Sequence, residues 1–225
     1  MTLLDYPGKV ACTLFTGGCN FRCPFCHNAL LVTELDPTAV IPEEEILSYL
    51  EKRKGVLDGV CVTGGEPLLM PDLLPFLRKV KEKGYAVKLD TNGSFPERLR
   101  EIVSAGVVDK VAMDVKNCRE KYGETIGLPS FDPAPIDESI AFLLNGTIDY
   151  EFRTTVSEEF HSVQDIVSLA EWIRGAKEYH IQNFVDSGNL IEKEKTLHSL
   201  PKSAVFAMRD AAAKILSNVT IRGIS

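Results

Sequence analysis

The chain has 225 residues, 44% of them hydrophobic, which is enough for one domain with a real core over 1–225 and too apolar for disorder as the main state. Its net charge of −7 argues against a general nucleic-acid binder. No apolar run approaches the roughly 18–20 residues that span a bilayer, and Met1-Thr2-Leu3-Leu4-Asp5-Tyr6-Pro7 lacks the basic start of a signal peptide, so the expectation is a cytoplasmic protein with no membrane or nucleic-acid partner.

Short apolar runs alternate with longer amphipathic stretches. The first strand is expected at 10–16. A helix follows at 42–54, where Pro42 suits a first helical position, Glu43, Glu44 and Glu45 suit the positive end of the helix dipole, and Gly55 is a stop. A strand at 59–63 leads to a helix at 71–83, with Pro71 at its start, Leu73, Leu74, Leu77 and Val80 on one apolar face, and Gly84 behind it. Then come a strand at 86–90, a helix at 95–105 closed by Gly106, a strand at 108–114, a helix at 136–144 and a strand at 151–156. A helix at 162–174 closed by Gly175, a strand at 180–184 and a helix at 203–216 complete the pattern. Cys12 and Cys61 fall inside strands and read as small buried hydrophobes; Cys118 reads as a loop residue and Trp172 as helix packing.

Six strand–helix alternations imply an α/β fold with a parallel sheet and outer helices, because parallel connections need crossovers of this length. An open doubly wound sheet and a barrel-like curl compete. A full eightfold barrel takes about 250 residues, so six units in a chain of 225 fit a partial (β/α)6 barrel if the sheet curls. Unusual residues gather at the strand ends: Cys19, Cys23 and Cys26, then Gly64-Gly65-Glu66-Pro67, Asp90-Thr91-Asn92-Gly93, Asp114 with Lys116, Arg153 within the fifth strand, and Gln182-Asn183. One such end is ordinary loop chemistry. Six together point to a site at the end where β/α enzymes place theirs.

Cys19-Asn20-Phe21-Arg22-Cys23-Pro24-Phe25-Cys26 is a C-x3-C-x2-C run. Three thiolates on one loop suit a cubane iron–sulfur cluster with one iron left open. The competing reading is a zinc-stabilised interaction module without catalysis, with His27 as fourth ligand, although neighbours such as Cys26 and His27 rarely both reach one tetrahedral ion.

The cysteine run, with the aromatic Phe25 before its last cysteine, and Gly64-Gly65-Glu66-Pro67 after the second strand resemble the radical S-adenosylmethionine superfamily. Asp5-Tyr6-Pro7-Gly8-Lys9, Leu89-Asp90-Thr91-Asn92-Gly93, Ala112-Met113-Asp114-Val115-Lys116 and Tyr150-Glu151-Phe152-Arg153-Thr154-Thr155 are similar to a subgroup of glycyl radical enzyme activating proteins, those of the anaerobic ribonucleoside-triphosphate reductase. The segment ahead of Asp5 is shorter than in that subgroup. The resemblance implies a partial six-unit barrel and a [4Fe–4S] cluster on Cys19, Cys23 and Cys26. It also implies reductive cleavage of S-adenosylmethionine to a 5′-deoxyadenosyl radical, a glycyl radical enzyme as partner, and a flavodoxin or ferredoxin as electron donor. A small-molecule substrate is the alternative within the same chemistry.

The resemblance also assigns the cofactor-binding residues. Gly64 and Gly65 allow close backbone approach and Glu66 accepts from the cofactor amine, unless it serves only as a carboxylate ahead of a helix. Lys116 and Arg153 suit the cofactor carboxylate or ribose, and Asn92 faces the cofactor or merely forms a turn. Asp90 and Asp114 pair these cations or hold a monovalent cation with the Thr91 carbonyl. Phe184-Val185 stands where pyruvate formate-lyase activating enzymes carry Tyr-His, which leaves Gln182 as the polar candidate for adenine.

Overall fold

The computed structural model of the chain describes residues 1–186, 188–194 and 196–223. In chain order its elements are β1 (Ala11–Thr16), α1 (Ala29–Thr33), α2 (Glu43–Lys52), β2 (Gly59–Gly64), α3 (Leu73–Glu82), β3 (Ala86–Thr91), α4 (Pro96–Ser104), β4 (Lys110–Asp114), α5 (Tyr122–Thr125), α6 (Ala134–Asn145), β5 (Asp149–Val156), α7 (Val163–Trp172), β6 (Tyr179–Asn183), α8 (Lys202–Ala212) and β7 (Val219–Arg222). The seven strands form one parallel sheet in sequence order, β1 through β7.

Side chains alternate across each strand, and the two faces differ in chemistry. Val60 and Val62, Val87 and Leu89, Val111 and Met113, Tyr150 and Phe152, and Tyr179 and Ile181 lie buried in one core with Leu77 and Val80 of α3, Leu99 and Ile102 of α4, Ile140 of α6, Leu169 of α7 and Val205 of α8. The residues between them, including Lys88, Asp90, Asp114, Glu151, Arg153 and His180, carry the charges. On that face Arg153 of β5 reaches Asp90 of β3 at 3.0 Å, and Arg222 of β7 reaches Glu151 of β5 at 3.0 and 3.2 Å. Next-but-one strands are about 9–10 Å apart, so these contacts are those of a sheet curled with its polar face inside. Among the described residues β1 and β7 do not pair, and the barrel stays open.

The partial barrel therefore carries one strand more than the alternation implied. β7 is four residues long and only half-buried, too short for its period to register. Helices α1 and α5, of five and four residues, escape for the same reason. Pro42 is the residue before α2 rather than its first, and Pro71 stands two residues ahead of α3. In both places a missing N–H still removes no helical bond. Gly55, Gly84, Gly106 and Gly175 take the positive φ expected of helix stops. Cys12 and Cys61 are buried strand residues, Cys118 is buried too, and Trp172 packs edge-on against Tyr122 while donating to Asp137.

Inside the barrel Lys88, 1% exposed, donates to Asp90 Oδ1 at 2.6 Å and lies 3.9 Å from Glu151. Replacing it by methionine (Lys88→Met) roughly keeps the volume and strips the buried Asp90 Oδ1 of its cationic partner. The expected cost is about 3–5 kcal/mol, read as a lower midpoint in urea unfolding; an unchanged midpoint refutes a structural role for this ammonium.

Candidate functional site

The loop between β1 and α1 carries the three cysteines, and it is held in place from several sides. Gly18 N–H donates to the Leu31 carbonyl and Arg22 N–H to the Ile126 carbonyl at the end of α5. Arg22 folds back to donate to the carbonyls of Cys19 and Phe21. The Phe21 ring stands edge-on to Phe131 and Tyr122, and Phe25 sits with Phe160 and Phe184 in a second apolar cluster. All three cysteines line one cavity of about 350 Å³. Burial pushes the Cys23 thiol up to about 12 and raises that of Cys19. Such thiols ionise when a metal takes the place of the proton. The Cys19 Sγ already accepts from Phe21 N–H at 3.4 Å, with the Asn92 amide at 3.8 Å.

The second wall is the turn after β2. Gly64 has φ +117, and a Cβ there would lie 2.4 Å from the Thr16 nitrogen. A Cβ on Gly65 would fall 1.8 Å from the Gly18 carbonyl oxygen. The glycines are thus required by the approach of this turn to the cysteine loop, sealed by Gly65 N–H to Thr16 O and Glu66 N–H to Gly18 O. The close backbone approach expected of these glycines is made to Thr16 and Gly18, and both glycines also line the cavity. Asn28, from the end of the cysteine loop, donates to the Gly64 carbonyl and completes the junction.

Glu66 takes the second of its two expected roles, a carboxylate capping the short helical turn that follows at Pro67–Leu69. It is 0% exposed, is absent from the cavity lining, and accepts from Leu68 N–H, Thr91 Oγ1 and Asn92 N–H at 3.0, 2.8 and 2.7 Å. The carboxylate is turned inward because three donors of its own fold surround it, and it pins the end of β3 against the turn. Burial outweighs those bonds and raises its carboxyl to about 7. Asn92 does more than form a turn. Its amide donates to Asn20 Oδ1 and its Oδ1 accepts from Ser94, so it bridges β3 to the cysteine loop.

The floor is an ion-pair network. Arg153 donates from Nε to Asp114 Oδ1 at 2.9 Å and from Nη1 to Asp90 Oδ2 at 3.0 Å. Lys116 holds Asp114 Oδ2 at 2.9 Å, and Lys88 holds Asp90 Oδ1. Each of the four carboxylate oxygens meets a cation of the chain itself, which is the internal network of the two expected alternatives. Burial alone would raise the Asp114 carboxyl, yet Arg153 and Lys116 hold it down at about 2. Burial works against the charges of Lys116 and Arg153 as well, and Asp114 beside them raises both. His161, whose basicity burial lowers, accepts from Ser157 N–H at Nδ1 and so donates from Nε2 to the Lys116 carbonyl at 2.8 Å, fixing that lysine's backbone.

Cys19, Cys23, Cys26, Gly64, Gly65, Asp90, Asn92, Lys116, Arg153 and Gln182 all line the cavity. His27 lines it too, with its Nε2 engaged by the Val185 carbonyl and its ring stacked on Phe184. Asp5, Asn28, Thr63 and Thr155 also line the cavity, beyond the residues expected from the sequence. The period of two in β5 pointed to Thr155, two residues beyond Arg153; Asp5 stood in a quoted motif without a role.

A profile of the Radical SAM superfamily matches residues 13–149. A provisionally named glycyl-radical enzyme activating enzyme of Methanocaldococcus jannaschii is 31% identical over 230 residues, covering 100% of this chain and 94% of its own length. The pyruvate formate-lyase-activating enzyme of Staphylococcus aureus is 31% identical over 140 residues, covering 56% of this chain and 55% of that one. Streptococcus suis SuiB bound to S-adenosylmethionine superposes on 95% of this chain with a TM-score of 0.76 at 14% identity, and this chain spans 50% of that structure's length. Similarity over most of the sheet, three cysteines on one loop and the shared fold make the chain a member of the radical SAM superfamily.

Proposed function

We propose that the protein is a glycyl radical enzyme activase whose partner is an anaerobic ribonucleoside-triphosphate reductase. The observation that carries the activase reading is similarity along the whole chain to the Methanocaldococcus jannaschii relative provisionally named a glycyl-radical enzyme activating enzyme, and the choice of reductase rests on the motifs around Asp5, Asp90, Asp114 and Arg153. The open side between β1 and β7 supports it, since an extended segment of a partner protein has a way toward the concave face. A flavodoxin or ferredoxin is the electron donor in this reading. No helix among the described residues is long and apolar enough to cross a membrane.

The residues fit the group the family requires. Three thiols, that of Cys23 buried and those of Cys19 and Cys26 partly so, converge on one cavity with no fourth cysteine among its lining, so a [4Fe–4S] cluster on Cys19, Cys23 and Cys26 keeps one iron open. When bound, that cluster supplies the electron that cleaves the sulfonium of S-adenosylmethionine to a 5′-deoxyadenosyl radical. The chain's own residues bind and orient. Lys116 and Arg153 present positive charge to the cofactor carboxylate and ribose, with Asp90 and Asp114 fixing their heads. Gly64 and Gly65 leave room and backbone groups for the amine, Asn92 and Gln182 add polar contacts, and Glu66 acts from behind by holding Thr91 and Asn92.

Incubation with reductant, S-adenosylmethionine and an anaerobic ribonucleoside-triphosphate reductase is expected to give a glycine-centred signal in electron paramagnetic resonance. Cleavage of the cofactor without that signal rejects the activase reading and favours a small-molecule substrate. Cys23→Ser is expected to lose the visible iron–sulfur absorbance and at least tenfold of 5′-deoxyadenosine release; wild-type values for both exclude Cys23 as a ligand. Because cations of the chain fill the places between Asp90 and Asp114, cofactor cleavage is expected to stay within about twofold when sodium, potassium and choline salts are exchanged. A strong preference for one ion, measured as initial rate, would restore the monovalent-cation site.

A further inference from the structure

At the opposite end of the barrel from the cysteines lies a second cluster that the radical chemistry does not use. His180 is the second residue of β6, Glu178 immediately precedes that strand and Glu151 lies on β5. The His180 side chain is 9% exposed and that of Glu151 0%. His180 Nδ1 bonds to Thr220 Oγ1 on β7, while its buried Nε2 has no hydrogen-bond partner. That Nε2 faces two carboxylate oxygens, Glu151 Oε2 at 3.5 Å and Glu178 Oε2 at 3.7 Å.

Those separations are long for a hydrogen bond to a carboxylate. They are close to the spacing of two donors on one ion: metal bonds of about 2.0–2.1 Å set tetrahedral ligands about 3.3–3.4 Å apart. The three donor atoms lie within 4.8 Å of one another. Thr220 supplies the partner that metal-binding imidazoles use on their other nitrogen, which leaves the Nε2 lone pair free for the ion.

We propose that Glu151, Glu178 and His180 form a binding site for a divalent first-row transition ion that accepts nitrogen and carboxylate oxygen, with zinc as the probe. Lys110 is the resident competitor. Its Nζ lies 3.0 Å from Glu178 Oε2, 3.4 Å from Glu151 Oε2 and 3.5 Å from Asp149 Oδ2. The ion takes the inner pair and Lys110 keeps Asp149, whose side chain is largely exposed. Arg222 still holds Glu151 and Lys88 lies 3.9 Å from it, so once Lys110 turns to Asp149 the unpaired charge comes from Glu178, and the ion completes its shell with water. The half-buried Glu178 is its way in from solvent. Bound there, the ion ties β5 to β6 and, through Thr220, to the edge strand β7.

The test is run on protein with its iron–sulfur cluster fully loaded, so that the cysteines are not available to zinc. After chelator treatment and equilibrium dialysis against micromolar zinc, the wild type is expected to hold one zinc per chain beyond its iron. Glu178→Gln and His180→Gln are expected to bind at least tenfold more weakly, and Thr220→Val about 10–100-fold more weakly, with iron content unchanged. Should His180→Gln fail to fold, the more exposed Glu178→Gln decides alone. No zinc in the wild type, or equal zinc in wild type and Glu178→Gln, overturns the site. Neither result touches the activase reading, because the readout is zinc and not radical formation.

Discussion

Arg153 spans β4 to hold Asp90 and Asp114 at once, and the geometry of the concave face follows from that single guanidinium. A buried charge survives only where its partners are in place. Two carboxylates from β3 and β4 and a cation from β5 meet only if the sheet between them is bent. The same bend brings the strand ends together, so that Lys116, Gln182 and the cysteine loop share one cavity. Curvature and binding chemistry are one problem with one solution here, and the outward apolar face has only to cover it.

Much of this was legible in the residues. Strand-length apolar runs separated by amphipathic stretches and glycine stops gave six parallel units because each unit is long enough to show its period. The seventh strand was not legible: Val219 to Arg222 is four residues with neither a buried run nor a clean alternation. The cysteines, Asn92 and Lys116 could be placed in advance since each follows a strand end where the polar face of a β/α enzyme begins, and Arg153 could be placed as a cation within a strand that needs carboxylate partners. Lys88 could not. It lies between Val87 and Leu89 inside a strand, and only its spacing of two from Asp90 marks it as facing inward.

Glu66 shows where pattern reading stops. The sequence Gly64-Gly65-Glu66-Pro67 tells that a backbone must come close to something and that a carboxylate follows, without telling what lies on either side. In the folded chain the something is the carbonyl of Gly18, and the carboxylate serves Thr91 and Asn92. Both facts depend on residues far apart in sequence that only tertiary structure brings near. His27 carries the same lesson in reverse. Beside a cysteine it looks like a ligand, but the ring lies flat on Phe184, more than 150 positions on by the numbering, and serves as a clasp.

The junction of Gly18 with Gly65 also limits how relatives of this chain can be recombined. No side chain stands between the two backbones to absorb a change of shape, so neither segment can drift without the other. A chimera that imports the first forty residues of a homologue must bring the matching turn as well, or its imported sulfurs will arrive tilted. Swaps made at the helices, where methylenes yield and repack, face no such obligation.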